Sequence, residues 1–188
     1  MTLRRLISPL LITCVLACTA ARADEVAEVQ RLATQGQAAA ALQRAEAALK
    51  NTPADARLRF ARALALLDLQ RDTEAMRAFV DMTQDYPQLP EPFNNIAALH
   101  ARAGQWDQAR TALEMALRNE PTHALARENL GDVYLQLALQ AWRAAALPAR
   151  QRPELQRKIR LATQLAASPL FDGKSEGKSE GKSAAAGD

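Results

Sequence analysis

The chain of 188 residues has few groups suited to catalysis. Its only cysteines, Cys14 and Cys18, precede Ala23, so a chain starting at Asp24 has no disulfide and no thiol nucleophile. Histidine occurs twice, at His100 and His123, and neither has a second histidine or a cysteine three or four residues away, so a helical metal pair is not expected. No nucleophile elbow, His-Glu ligand helix or glycine-rich nucleotide turn is present. Asp81 and Asp85 stand one helical turn apart, the spacing of a wet face more than of an acid/base pair. Aromatic residues make up 4%, too few for a core built around large rings, and no stretch alternates with the period of a strand. Outside the tail the only lysines are Lys50 and Lys158. A non-catalytic chain with no cofactor and no metal is expected.

What is there begins with a leader. Arg4 and Arg5 precede an uncharged run from Leu6 to Ala21, and Ala21-Arg22-Ala23 offers a small-x-small cut before Asp24. That run, interrupted by Pro9, is shorter than the roughly 20 residues of a membrane helix. Residues 1–23 are therefore expected to be a signal peptide, with a periplasmic or secreted mature chain. Val15-Leu16-Ala17-Cys18 resembles a bacterial lipobox, so acylation at Cys18 is the competing reading. Of the 24 basic residues, Arg4, Arg5 and Arg22 precede the cut, which leaves 21 against 21 acidic ones. The mature chain is thus near neutral, and nucleic-acid binding is not expected. Arginine outnumbers lysine 19 to 5, as in a GC-rich bacterial source.

The centre of the chain is periodic. Between Pro90 and Pro121, apolar or small residues fall at Phe93, Ile96, Ala97 and His100, and after Gly104 at Ala109, Leu113, Ala116 and Leu117. This is helical spacing twice over, broken by a glycine corner, and predicts two antiparallel helices. The pattern recurs every 34 residues: Pro53, Pro87 and Pro121; Ala41, Ala75 and Ala109; Ala48, Met82 and Ala116; Ala63, Ala97 and Gly131. Gln70-Arg71-Asp72 replaces the glycine corner in the second unit.

These residues resemble the tetratricopeptide repeat, whose period is 34, and Leu130-Gly131 with Tyr134 is the nearest match to its first-helix signature. The resemblance implies an all-α fold, a right-handed superhelix of antiparallel helix pairs. Three to four repeats are expected, at about 24–55, 56–89, 90–123 and 124–147, the last degenerate. After Tyr134 the pattern slips by about five residues, so either a tight hairpin forms or one helix runs from Thr122 through Ala146; the long helix is favoured. Pro148 and Pro153 end it, and a capping helix follows over 153–166, with Pro153 at its first position. Residues 167–188 carry repeated Gly-Lys-Ser-Glu, too polar to offset ordering entropy, and are expected to be a disordered tail. Three residues separate Gly173 from Gly177 where a phosphate loop needs four.

In the family, first helices line a concave groove. The implied groove residues are Arg57 and Phe60 in the second repeat, Asn94, Asn95 and Arg102 in the third, and Glu128, Asn129 and Asp132 in the fourth. Asn95 and Asn129 are one period apart, and an amide that both donates and accepts can hold the backbone of an extended peptide. An asparagine tying helix to helix is the competing reading. A local basic excess, Arg150, Arg152, Arg157, Lys158 and Arg160, reads as a solvated helix face or as a contact for an anionic surface. The expected function is that of an adaptor in the bacterial cell envelope, whose partner is another envelope protein or peptide. A membrane-surface tether or an accessory subunit of an envelope enzyme complex is the alternative.

Overall fold

A computed structural model of the chain describes residues 25–146 and 152–167, which form eight helices and no strand. The leader, the lipobox cysteine, Arg150 and the tail beyond Ala167 lie outside those residues. The helices are α1 (25–34), α2 (Ala38–Leu49), α3 (Ala56–Asp68), α4 (Asp72–Asp85), α5 (Pro90–Arg102), α6 (Trp106–Asn119), α7 (Ala124–Ala146) and α8 (Pro153–Leu165). None is long and apolar enough to cross a membrane; α7, the longest, carries Arg127, Glu128, Asp132 and Arg143. The chain divides into two compact units, one ending at Ala75 and the other beginning at Met76, and α4 runs from the first into the second.

Within a repeat the chain reverses through a left-handed corner. Gly36 and Gly104 have φ of 74° and 70°, and Gln70, one period from each, has φ of 57°. At all three the backbone closes the same double hydrogen bond: Gly36 N–H to Ala33 O and Gln37 N–H to Leu32 O; Gln70 N–H to Leu67 O and Arg71 N–H to Leu66 O; Gly104 N–H to Ala101 O and Gln105 N–H to His100 O. This pairing satisfies carbonyls that a helix end otherwise leaves without partners. The Gln70 corner therefore keeps the glycine geometry at a cost in backbone strain of about 1 to 2 kcal/mol.

Between repeats the corner is different and equally regular. Asp55, Leu89 and His123, 34 residues apart, each donate a backbone N–H to the carbonyl three residues earlier, at 3.1 Å. Asp55 then caps α3 by accepting from the N–H groups of Arg57 and Leu58. Leu89 makes no side-chain cap, and Pro90 starts α5, where its missing N–H is no loss. Buried His123 accepts from the Ala126 N–H through Nδ1, so the ring itself caps α7.

In the first unit α2 packs on α3, and Leu58, Ala63, Ala65 and Leu66 meet a core that includes Val29, Ala41 and Ala45. Ion pairs link α1 to α2 (Arg44 to Glu25, 2.7 Å) and α2 to α3 (Arg62 to Glu46, 3.3 Å). In the second unit α6 packs between α5 and α7, and α7 in turn on α8. The alanines at 41, 75 and 109 are fully buried, as are Ala97 and Ala116, so small side chains at the repeat positions let the helices approach closely.

α7 is continuous from Ala124 to Ala146, so the long helix and not the hairpin is what forms. The position that would hold the next left-handed corner, 138, is an alanine in mid-helix. With 100° per residue, Ala126, Asn129 and Val133 make one buried stripe, and Leu139 lies roughly 110° round from it. The first half of α7 thus carries the buried stripe of a repeat, while its second half meets α8, where Arg143 reaches Thr163 and Lys158 lies over Trp142.

Candidate functional site

The groove expectation places most of its residues on α5 and α7, which belong to the same unit. Both helices are set by the inter-repeat corners described above, and Asn119, at the end of α6, donates to Pro87 O at 2.7 Å to hold the entrance to α5. Asn94 and Asn129 face each other. Asn129 Nδ2 donates to Asn94 Oδ1 at 2.9 Å, and the two residues are only 5% and 6% exposed. This bond joins the first helices of successive repeats, so its geometry is that of a tie between helices. Asn95 is half-buried and donates from Nδ2 to Glu91 O at 2.9 Å, one turn back on its own helix.

The acidic members of the set lie at the edge of this clasp. Glu128 is exposed, and Asp132, one turn further along α7, is half-buried. Desolvation is the main cause that holds the Asp132 carboxyl above the ordinary aspartate range, and the nearby Glu128 charge adds to it. Arg102 is exposed at the end of α5. In the first unit, Arg57 is exposed and Phe60 half-buried, both on α3, and desolvation raises the carboxyl of Asp68 at the end of the same helix.

Both histidines are used by corners. His123 caps α7, and His100 Nδ1 lies 2.6 Å from Gln105 Oε1 across the left-handed turn at Gly104. Among the described residues no group of three or more His, Cys, Asp or Glu side chains could hold a metal ion. Sequence reasoning missed the Asn94–Asn129 pair. Its signal was a spacing of 35, one more than the period, between two amides on first helices.

Two models of the tetratricopeptide repeat match the sequence, one over residues 26–90 and the other over 91–133. The matches are contiguous and meet at the start of α5. The chain belongs to the tetratricopeptide-repeat family.

A sequence search of curated proteins gives no match. Solved structures similar to this tetratricopeptide-repeat chain include the first such domain of human RPAP3, 18% identical with a TM-score of 0.57, covering 61% of this chain and 90% of that one. The structure of Naa15/Naa10 bound to HypK-THB contains a chain 20% identical with a TM-score of 0.54; the likeness covers 76% of this chain and 22% of that one. MamA is 17% identical with a TM-score of 0.54, over 72% of this chain and 82% of its own. These likenesses concern the fold. The chain is a tetratricopeptide-repeat scaffold, a type of fold used for protein–protein contact.

Proposed function

We propose that this scaffold is an adaptor of the bacterial cell envelope, exported by residues 1–23, and that the first helices of its repeats hold a peptide or protein segment. One observation carries the reading. The face of α5 and α7 bearing Asn95, Glu128 and Asp132 is polar yet partly desolvated, and it is braced from behind by the buried Asn94–Asn129 bond. A rigid polar face costs little further ordering when a segment is laid on it, which is the condition for useful affinity. Glu128 and Asp132 favour a segment with a basic side chain at that level.

Site-directed photocrosslinking in intact cells tests the reading. A crosslinking residue replacing Asn95 or Glu128 should give adducts with one partner, and the same residue at exposed Gln108 on α6 should give none. The masses of the adducts also report the mature N terminus, free Asp24 or acylated Cys18. Identical adducts from Gln108, or none from either groove position, would discard the groove. A start at Met1 would discard the export.

A further inference from the structure

α8 carries a feature that the groove does not use. Three large hydrophobic side chains are exposed among the described residues, and two of them, Leu161 at 51% and Leu165 at 67%, lie one turn apart on this helix. They do not belong to its packing face. That face is Leu155, Ile159 and Ala162, of which Ala162 is buried, and the leucine strip lies roughly 110° round the helix from it. Cations flank the strip on both sides. By the helical angle, Lys158 falls about 40° to one side of it and Arg157 about 60° to the other, with Arg160 beyond. All three are exposed, as is Arg152 at the cap, while Glu154 is the one acidic residue of the helix. Lys158 also reaches back to α7, with its Nζ 6.0 Å from the centre of the Trp142 ring, so its stem leans over the folded body.

We propose that this outer face of α8 rests on an anionic lipid bilayer, with Leu161 and Leu165 dipping between headgroups and Arg157, Lys158 and Arg160 meeting phosphates. Charge decides between occupants. A second copy would bring like charges together, four cations and one carboxylate from each helix. A bilayer surface supplies hydrocarbon below the strip and anions on either side of it, which matches an amphipathic helix lying in the interface. α8 docks as part of the folded unit, because it packs on α7 with Ala162 buried. Binding needs both components, since neither two leucines nor three cations alone hold a protein of this size to a surface.

The test is sedimentation of the full chain with vesicles of phosphatidylcholine alone or mixed with phosphatidylglycerol, at low and high salt. Any binding to neutral vesicles through residues 6–21 is the baseline, and the excess on anionic vesicles is what is read. Arg157→Gln with Arg160→Gln should lower that excess about thirtyfold, and Leu161→Gln with Leu165→Gln by at least about tenfold. These positions are exposed, so circular dichroism should show unchanged helix content. An excess that survives in either double variant at unchanged helix content overturns the proposal. So does a parent chain that ignores lipid charge, or one that is retained on immobilised polyglutamate but not by vesicles, which would assign the face to an acidic protein.

Discussion

Replacing Asn129 by leucine, of similar volume, removes the amide that donates to Asn94 Oδ1 across 2.9 Å. Asn94 is 6% exposed, so its oxygen is left with almost no access to water, a loss of about 1 to 3 kcal/mol. Asn94→Leu alone strands the Asn129 amide and should cost a similar amount. With both replaced, no polar group is stranded, and the double variant should lie within about 1 kcal/mol of the parent, its leucines contributing apolar burial at the α5–α7 contact. The coupling read from this cycle should therefore be about 1 to 3 kcal/mol. Urea denaturation gives the free energies. Amide hydrogen exchange localises them, because in a stacked array the deficit should appear in α5 and α7 and fade with distance. Two additive single variants, or an Asn129→Leu chain as stable as the parent, would refute the tie. If such a variant kept its stability but lost its crosslinked partner, Asn129 would be a ligand-gripping residue after all.

Two further outcomes are expected. Gln70→Gly should stabilise the chain by about 0.5 to 1 kcal/mol, the strain of a left-handed glutamine less the added freedom of glycine when unfolded. Gly104→Ala should lose about as much, since no atom lies within 4 Å of the added Cβ and only the backbone objects; equal urea midpoints in parent and variants would contradict both. Asp132 is held above the ordinary aspartate range, so the folded chain binds that proton more tightly than the unfolded one. Its contribution is then fully present in acid and is lost as pH rises through the folded value. Asp132→Asn should raise the urea midpoint at pH 7 and give no gain below the ordinary aspartate range, and a constant difference at both pH values would refute the desolvation account.

The repeat was legible because its period is carried by residues whose only duty is volume. Alanines at 41, 75 and 109 mark the helix contacts directly, and the chain has them on schedule. The corner at Gln70 was legible only by position, since left-handed geometry there is imposed by its neighbours and not by the residue. Groove residues were harder. A 34-residue spacing fixes which positions are equivalent but not how far each side chain is sunk, and Asn129 turned out to be spent on Asn94 instead of lying open. That bond spans 35 residues because Asn94 meets the residue after its own equivalent, Glu128, on the next first helix, an offset that the period does not encode. Tyr134, the family's aromatic first-helix position, is 49% exposed on a helix that runs on where the repeat would turn back.

α7 has a consequence for the end of the array. A hairpin at the edge of a solenoid usually presents a seam like the ones behind it, onto which another hairpin could dock. Here a single rod packs on both α6 and α8, meeting α8 near its end through Trp142 and Arg143. Among the described residues the array therefore closes on α8 and not on a repeat-shaped hairpin. It also makes the last two helices splint one another, so peeling from this side has to open both seams together.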